Sequence, residues 1–200
     1  MNKLSEKEKA EYGLLYDANY DIELLSKRIE CKDMCHKFNQ LKPSEITLSE
    51  KTFKEIVKIV GQSPVVTAPF WCDYGKNITI GNNFYSNHNL TILDAADVVI
   101  GDNVYIAPNC CISTAGHPID FEQRNKGLEY AYPIKIENNV WIGANVTILP
   151  GVTIGENVVI GAGSVVKSNI PSNVIAVGVP CKVKREITEM DKMKYITRQN

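Results

Sequence analysis

The chain has 200 residues and a net charge of −1, from 22 Lys and Arg against 23 Asp and Glu. That length fits one domain with a small appendage, and the balanced charge argues against nucleic-acid or anionic-membrane partners, which favour a basic excess. Apolar residues at 44% and charged residues at 22% exclude wholesale disorder.

The N-terminus, MNKLSEKEKAEYG, lacks the apolar run of a secretory signal. Ser5-Glu6-Lys7-Glu8 is a capping-box pattern and opens a first helix ahead of Tyr12, Leu15 and Tyr16. A second helix is predicted from about Asp21, with Ile22, Leu25 and Ile29 on its apolar face. Pro43 and Ser44 break the chain. A third helix is predicted from Ser49, with Phe53, Ile56, Val57 and Val60 at helical spacing and Gly61 as its stop. Residues 1–61 therefore read as a small α-helical cap.

From Asn77 the helical period vanishes and a period of six replaces it. Ile136, Ile142, Ile148, Ile154, Ile160 and Val166 stand six apart, and a second register runs Val140, Val146, Val152, Val158, Ser164, Ile170. Ile80-Gly81 with Phe84, and Ile100-Gly101 with Val104, Ile106, Cys110 and Ile112, repeat the pattern earlier. A fixed repeat outranks local propensity. Six residues suit one short strand and one turn, so three units close a triangular coil, with coils stacked about 4.8 Å apart. Gly and Asn between the aliphatics take the corners, where positive φ is tolerated. The eight-residue step from Ile92 to Ile100 predicts a two-residue bulge, and residues 113–133, which carry no hexad, predict a loop extruded from the coil. The uncharged stretches Asn77–Leu93 and Asn138–Gly155 are punctuated by Gly and Asn and do not read as membrane helices. Flat prism faces favour packing about a threefold axis, which predicts a homotrimer with sites between subunits.

Six cysteines stand at 31, 35, 72, 110, 111 and 181. An adjacent pair and a helically spaced pair do not make a disulfide framework, which predicts a cytoplasmic protein. Cys110 falls on the inward register and reads as core. Cys35-His36 has no second ligand pair at finger spacing, so no metal is expected. Of three histidines, His36 lies in the cap and His88 inside the repeat. His117 lies between Gly116 and Pro118 at the start of the extruded segment, where a core role gives it no reason to be; Gly116 is expected to permit an unusual backbone angle there. An imidazole can take a proton from an attacking alcohol near neutral pH. No G-x-S-x-G elbow, phosphate loop or dinucleotide fingerprint occurs.

The hexads resemble the left-handed parallel β-helix of hexapeptide-repeat acyltransferases. Asn83-Phe84-Tyr85-Ser86-Asn87, Ile106-Ala107-Pro108-Asn109, Gly116-His117-Pro118, Asn139-Val140-Trp141-Ile142-Gly143 and Gly178-Val179-Pro180-Cys181 resemble the maltose/galactoside O-acetyltransferase family, as does the helical N-terminus with Leu15-Tyr16-Asp17. The resemblance implies an all-β fold with a helical cap over 1–61, a β-helix over 62–183 and a C-terminal tail over 184–200. It implies acetyl-CoA-dependent transfer to a sugar hydroxyl, with His117 as the catalytic base and direct attack rather than an acetyl-cysteine intermediate. Asp17, Asp73 and Asn87 match acceptor positions, Tyr85 shapes that pocket, and Glu129 either orients the imidazole or contacts the sugar. The Ala144 amide matches an oxyanion or thioester contact, and Trp141 walls the pocket or packs between subunits. Ala144, Ala162, Lys167, Ser168, Lys182 and Arg185 match positions that contact coenzyme A. Ala95, Lys182 and Lys167-Ser168 depart from the family pattern and leave the sugar open among galactosides, maltose and glucose. The alternative is a related enzyme acting on an antibiotic, an amino sugar or serine.

Overall fold

The structure is a computed structural model and describes residues 4–195. The last five residues of the expected C-terminal tail lie outside the described residues. Helix α1 (Glu6–Glu11) starts at the Ser5 capping box, as its sequence requires. Helix α2 (Ile22–Asn39) is capped by the Asp21 side chain, which accepts from the Leu24 amide. Its buried residues are Leu24, Cys31, Cys35 and Phe38, whereas Ile22 and Ile29 are 84% and 61% exposed. The apolar face expected from the sequence is thus displaced. Thiols pack as small apolar groups, and the three rings of Phe38, Phe53 and Phe70 decide which side of α2 faces in. Their centroids lie 6.0 Å (Phe38–Phe53), 6.5 Å (Phe38–Phe70) and 5.2 Å (Phe53–Phe70) apart. Helix α3 (Ile46–Ile56) begins three residues before the expected Ser49 and stops at Val57, whose backbone is already extended. Gly61 is therefore a coil corner rather than a helix stop; its amide donates to the Ile80 carbonyl.

The coil starts at Ile59, ahead of the point where the six-residue register becomes legible. Three parallel sheets form the faces of a triangular prism. The first face holds 59–60, 78–80, 98–100, 134–136 and 153–154, and the second 65–66, 85–86, 105–106, 141–142, 159–160 and 174–177. The third holds 70–72, 90–93, 111–113, 147–148 and 165–166. Strand Lys182–Glu186 folds back antiparallel on Val174–Val177 and closes the C-terminal end of the second face. The inward ladders are in register from coil to coil: Ile80, Ile100, Ile136 and Ile154 on one face, Ile106, Ile142 and Ile160 on the next, Ile92, Ile112, Ile148 and Val166 on the third. All are buried in one continuous core. The outward residues of the second face, Tyr85, Tyr105 and Trp141, form a column of their own.

Asparagine takes the corners. Asn83, Asn103, Asn139, Asn157 and Asn173 each have φ between 53° and 62°, the left-handed region that Asn tolerates better than most residues. Their side chains stack, Asn83 donating to Asn103 at 3.0 Å and Asn103 to Asn139 at 3.2 Å. Asn103→Ala should therefore lower stability by up to about 1 kcal/mol, because alanine pays the left-handed cost without the short polar side chain that steadies asparagine there. Asn103→Gly should recover part of that loss. Urea midpoints of the two variants check this, and equal losses would mean the side-chain ladder, rather than φ, carries the effect.

The segment 113–133 leaves the prism as expected, but it is built rather than irregular. Ala115–Gly116 and Leu128–Ala131 form an antiparallel pair around helix α4 (Phe121–Asn125), and Tyr16–Asp17 adds a third antiparallel strand. The N-terminal segment is thereby fastened to the extruded hairpin. No helix among the described residues is long and apolar enough to cross a membrane.

Candidate active site

The three-stranded hairpin sheet brings together residues more than a hundred positions apart. Tyr16 faces Glu129 and Asp17 faces Leu128 in its register. His117 follows directly on Ala115–Gly116, beside the same strand. Its Nδ1 lies 3.1 Å from the Leu128 carbonyl oxygen. A carbonyl can only accept, so in the neutral imidazole Nδ1 carries the proton and Nε2 is the lone-pair nitrogen. Nε2 lies 3.8 Å from Glu129 Oε1, and Glu129 Oε2 accepts from the Tyr16 hydroxyl at 3.1 Å. Burial, and then the neighbouring Glu129 carboxylate, push the Tyr16 phenol above its ordinary pKa, which keeps it protonated as a donor to Glu129. Half of the His117 side chain is exposed and Glu129 is mostly buried, so the pair sits at the rim of the hairpin with the imidazole outward. Gly116 is needed here for close approach. A Cβ would lie 2.4 Å from the Tyr130 ring, and no left-handed φ is involved, contrary to the backbone angle expected from sequence.

The Asp17 carboxylate accepts from the amides of Asn19 and Tyr20, at 3.2 and 2.9 Å. It caps the turn after its own strand and lies on the hairpin sheet with His117 and Glu129. Asp73 follows strand Phe70–Cys72 at the corner from which the hairpin also springs, two rungs away. It is half-buried, and desolvation raises its pKa.

Asp94, the acidic neighbour of Ala95, is given no site role by the sequence. This fully buried carboxylate accepts from the amides of Asp73 and Tyr74 at 3.0 and 2.9 Å and so holds the corner that carries Asp73. The eight-residue step from Ile92 to Ile100, with an acidic residue inside it, was the signal. Asp94 is pushed up to about 7, chiefly by burial; the Tyr74 amide opposes the shift and the Asp73 charge adds to it. A pKa raised in the folded state means the folded chain holds this proton more tightly than the unfolded chain. Asp94 thus contributes stability below about pH 4, and that contribution is lost as pH rises through about 7. Between those limits the melting temperature of the wild type should fall relative to that of Asp94→Asn. Parallel pH profiles for the two proteins would refute this.

The other expected residues lie elsewhere. Tyr85 is on the second face, with its ring 6.3 Å from that of Tyr105. Asn87 begins the corner between the second and third faces, its Oδ1 accepting from the His88 amide at 2.8 Å. His88 is turned to the Ala68 carbonyl, its Nδ1 2.6 Å away. Ala144 and Ala162 occupy the same corner as Asn87, one coil apart; the Gly163 amide donates to the Ala144 carbonyl at 2.8 Å. A Cβ on Gly143 would lie 2.6 Å from the Ala162 amide nitrogen, so only glycine lets these coils stack. The Ala144 amide donates to no backbone acceptor among the described residues. Among the described residues no hydrogen bond or ion pair joins this corner to His117. Lys167 and Ser168 are exposed at the next corner, beyond Val165–Val166. Lys182 and Arg185 lie on the exposed C-terminal strand. Arg185 is engaged rather than free: it grips Asp191 through two bonds of 2.8 and 2.6 Å, which hold the Asp191 carboxyl far below its ordinary pKa. Cys110 points into the prism, with Sγ 3.2 Å from the Gly143 carbonyl, and burial raises its pKa, so it packs as a core residue.

Residues 133–168 match the bacterial transferase hexapeptide (six repeats) model, and residues 12–61 match the maltose acetyltransferase hexapeptide capping motif. Six-residue rungs beneath such a cap define a hexapeptide-repeat acyltransferase. The chain is 52% identical over 172 residues to the galactoside O-acetyltransferase of Escherichia coli K12, covering 86% of this chain and 85% of that one. A solved galactoside acetyltransferase in complex with coenzyme A superposes with a TM-score of 0.93 at 48% identity, covering 98% of this chain and 97% of that one. The maltose O-acetyltransferase of Clostridium difficile 630 superposes with a TM-score of 0.91 at 47% identity, covering 94% of this chain and all of that one. The chain belongs to the galactoside/maltose O-acetyltransferase family, with the left-handed β-helix of that family, and is an acyltransferase.

Proposed function

We propose that the protein transfers an acetyl group from acetyl-CoA to a sugar hydroxyl by direct attack, with His117 as general base. The observation that carries this reading is the bond from His117 Nδ1 to the Leu128 carbonyl, which leaves Nε2 free to accept a proton at the exposed rim of the hairpin. Nε2 takes the hydroxyl proton as the sugar oxygen attacks the thioester carbonyl. The C–S bond breaks, and the imidazolium returns the proton to the departing thiolate, so the imidazole ends as it began. The undonated Ala144 amide suits the developing oxyanion. No metal enters this step.

Asn87, Ala144 and Ala162 share a corner that His117 of the same chain does not touch. A threefold assembly, packed on the exposed Tyr105 and Trp141 column, would set the hairpin of one copy against that corner of the next. Asp17, Asp73, Asn87 and Tyr85 then surround the acceptor. Coenzyme A lies along the groove, where Lys167, Ser168 and Lys182 are open to its phosphates and Arg185 exchanges Asp191 for one of them.

A thiol-release screen with acetyl-CoA across galactosides, maltose and glucose tests the reading, with antibiotics, serine and amino sugars as the other arm. Turnover confined to that other arm would overturn the sugar assignment. Glu129→Gln separates the two roles open to Glu129. If it orients the imidazole, kcat should fall severalfold at constant acceptor KM; if it binds the acceptor, KM should rise instead.

A further inference from the structure

Three thiols from two distant segments meet where α2 packs on the first coil. Cys31 and Cys35, one helical turn apart, present their sulfurs on one side of α2. Strand Phe70–Cys72 alternates inward, outward, inward, and so delivers Cys72 to the same point. Cys31 Sγ lies 3.4 Å from Cys72 Sγ, and Cys35 Sγ lies 3.7 Å from it. All three sulfurs lie within 4.8 Å of one another, and the residues are 5%, 0% and 3% exposed.

We propose that Cys31, Cys35 and Cys72 form a three-thiolate site for a soft, thiophilic metal ion, with copper(I) as its occupant. Two thiolates on one ion, each about 2.3 Å from it, stand about 3.8 Å apart at a tetrahedral angle and about 4.0 Å apart at a trigonal one. The observed separations need only small side-chain adjustments to reach either. No His, Asp or Glu atom joins the cluster among the described residues. Closed zinc sites take four ligands, so a triad of sulfur alone favours an ion content with three soft donors, and among the common metals thiolate softness selects copper(I). Hard, oxygen-seeking cations are excluded by the same donor set. Cys31 and Met34 line a cavity of about 950 Å³ between α2, Tyr16 and Tyr74, which supplies an entry path from the surface. The sequence concealed the site because Cys72 follows Cys35 by 37 residues, outside any finger spacing. The ion would bridge helix and coil, a role separate from acyl transfer.

The test uses the reduced full-length protein under anaerobic conditions, offered copper(I) from a competing chelator and, separately, zinc(II). One copper per chain is expected, with thiolate-to-copper absorption in the near ultraviolet and X-ray absorption showing sulfur neighbours alone, three of them at about 2.3 Å. Copper should also raise the melting temperature, as any ligand of the folded state does. Cys31→Ser, Cys35→Ser and Cys72→Ser should each lose the copper, and Cys111→Ser should keep it. The spectra of the unsubstituted protein stand even if a serine variant fails to fold. No retained copper, copper retained by all three variants, or preferential zinc uptake with a nitrogen or oxygen neighbour would each overturn the proposal.

Discussion

Replacing His117 by alanine should lower kcat for acetyl transfer by about 10²–10⁴-fold, the usual contribution of a positioned general base, while the folded state persists. The second half of that expectation follows from how little the ring does for the fold. Its side chain is half exposed, and among the described residues its one hydrogen bond is Nδ1 to the Leu128 carbonyl. Surface substitutions of this kind usually change stability by less than about 0.5 kcal/mol. The hairpin is held by other means, namely the pairing of Ala115–Gly116 with Leu128–Ala131 and of that strand with Tyr16–Asp17. Acceptor KM should change little, because the imidazole acts on the proton in flight more than on the bound sugar. Thiol release measured at saturating acetyl-CoA, beside a thermal melt, checks both halves. Normal turnover by a folded His117→Ala protein would remove the imidazole from the mechanism.

Ile142→Ala should cost about 2–5 kcal/mol, the range for emptying a fully buried aliphatic site. Ile142 is 0% exposed and stands between Ile106 and Ile160 in its ladder. The neighbouring coils cannot collapse onto the gap, because their spacing is fixed by backbone pairing on all three faces. The Ile142 carbonyl accepts from the Ala107 amide at 2.9 Å, and the Gly143 amide donates to the Ile160 carbonyl at 2.8 Å. The cavity therefore stays open. In a stacked array each rung contacts only its neighbours, so amide exchange should quicken first in rungs 105–106 and 159–160 and least at 65–66. Denaturant midpoints give the size of the loss, and exchange gives its place. A uniform acceleration along the prism would show instead that the coils melt as one unit.

The prism was legible because its cause is periodic. Inward residues recur every six positions, so Ile136 to Val166 announce the fold in one dimension, and the asparagines mark the corners where φ turns positive. The first coil carries no six-residue register, and only the family resemblance put 65–72 within the β-helix. Val65–Val66 and Phe70–Cys72 occupy the same positions in the ladders without the regular spacing, and their place is fixed by pairing with Tyr85–Ser86 and Leu90–Ile92. The inward face of α2, though not the helix itself, escaped the sequence for a related reason. Its own pattern is nearly featureless, and only the Phe38, Phe53 and Phe70 cluster decides which face turns inward.

The candidate site divides along the same line. His117 could be singled out from its chain neighbours, since a histidine between Gly116 and Pro118 outside the repeat has no core to serve. Its partner could not be, because the Leu128 carbonyl is backbone and any residue supplies one. Glu129, Tyr16 and Asp94 became meaningful only when the hairpin paired with Tyr16–Asp17 and the coil corners stacked. Sequence alone thus determined what recurs or is chemically unusual along the chain: the six-residue coil, its corners, the extruded segment and one imidazole. Tertiary structure decided what depends on which surfaces meet: the inward face of α2, the tautomer of His117, the buried hold on Asp73 and the meeting of three thiols. A contact between distant segments is selected by the free energy of the whole packing, and that leaves no local mark on either segment.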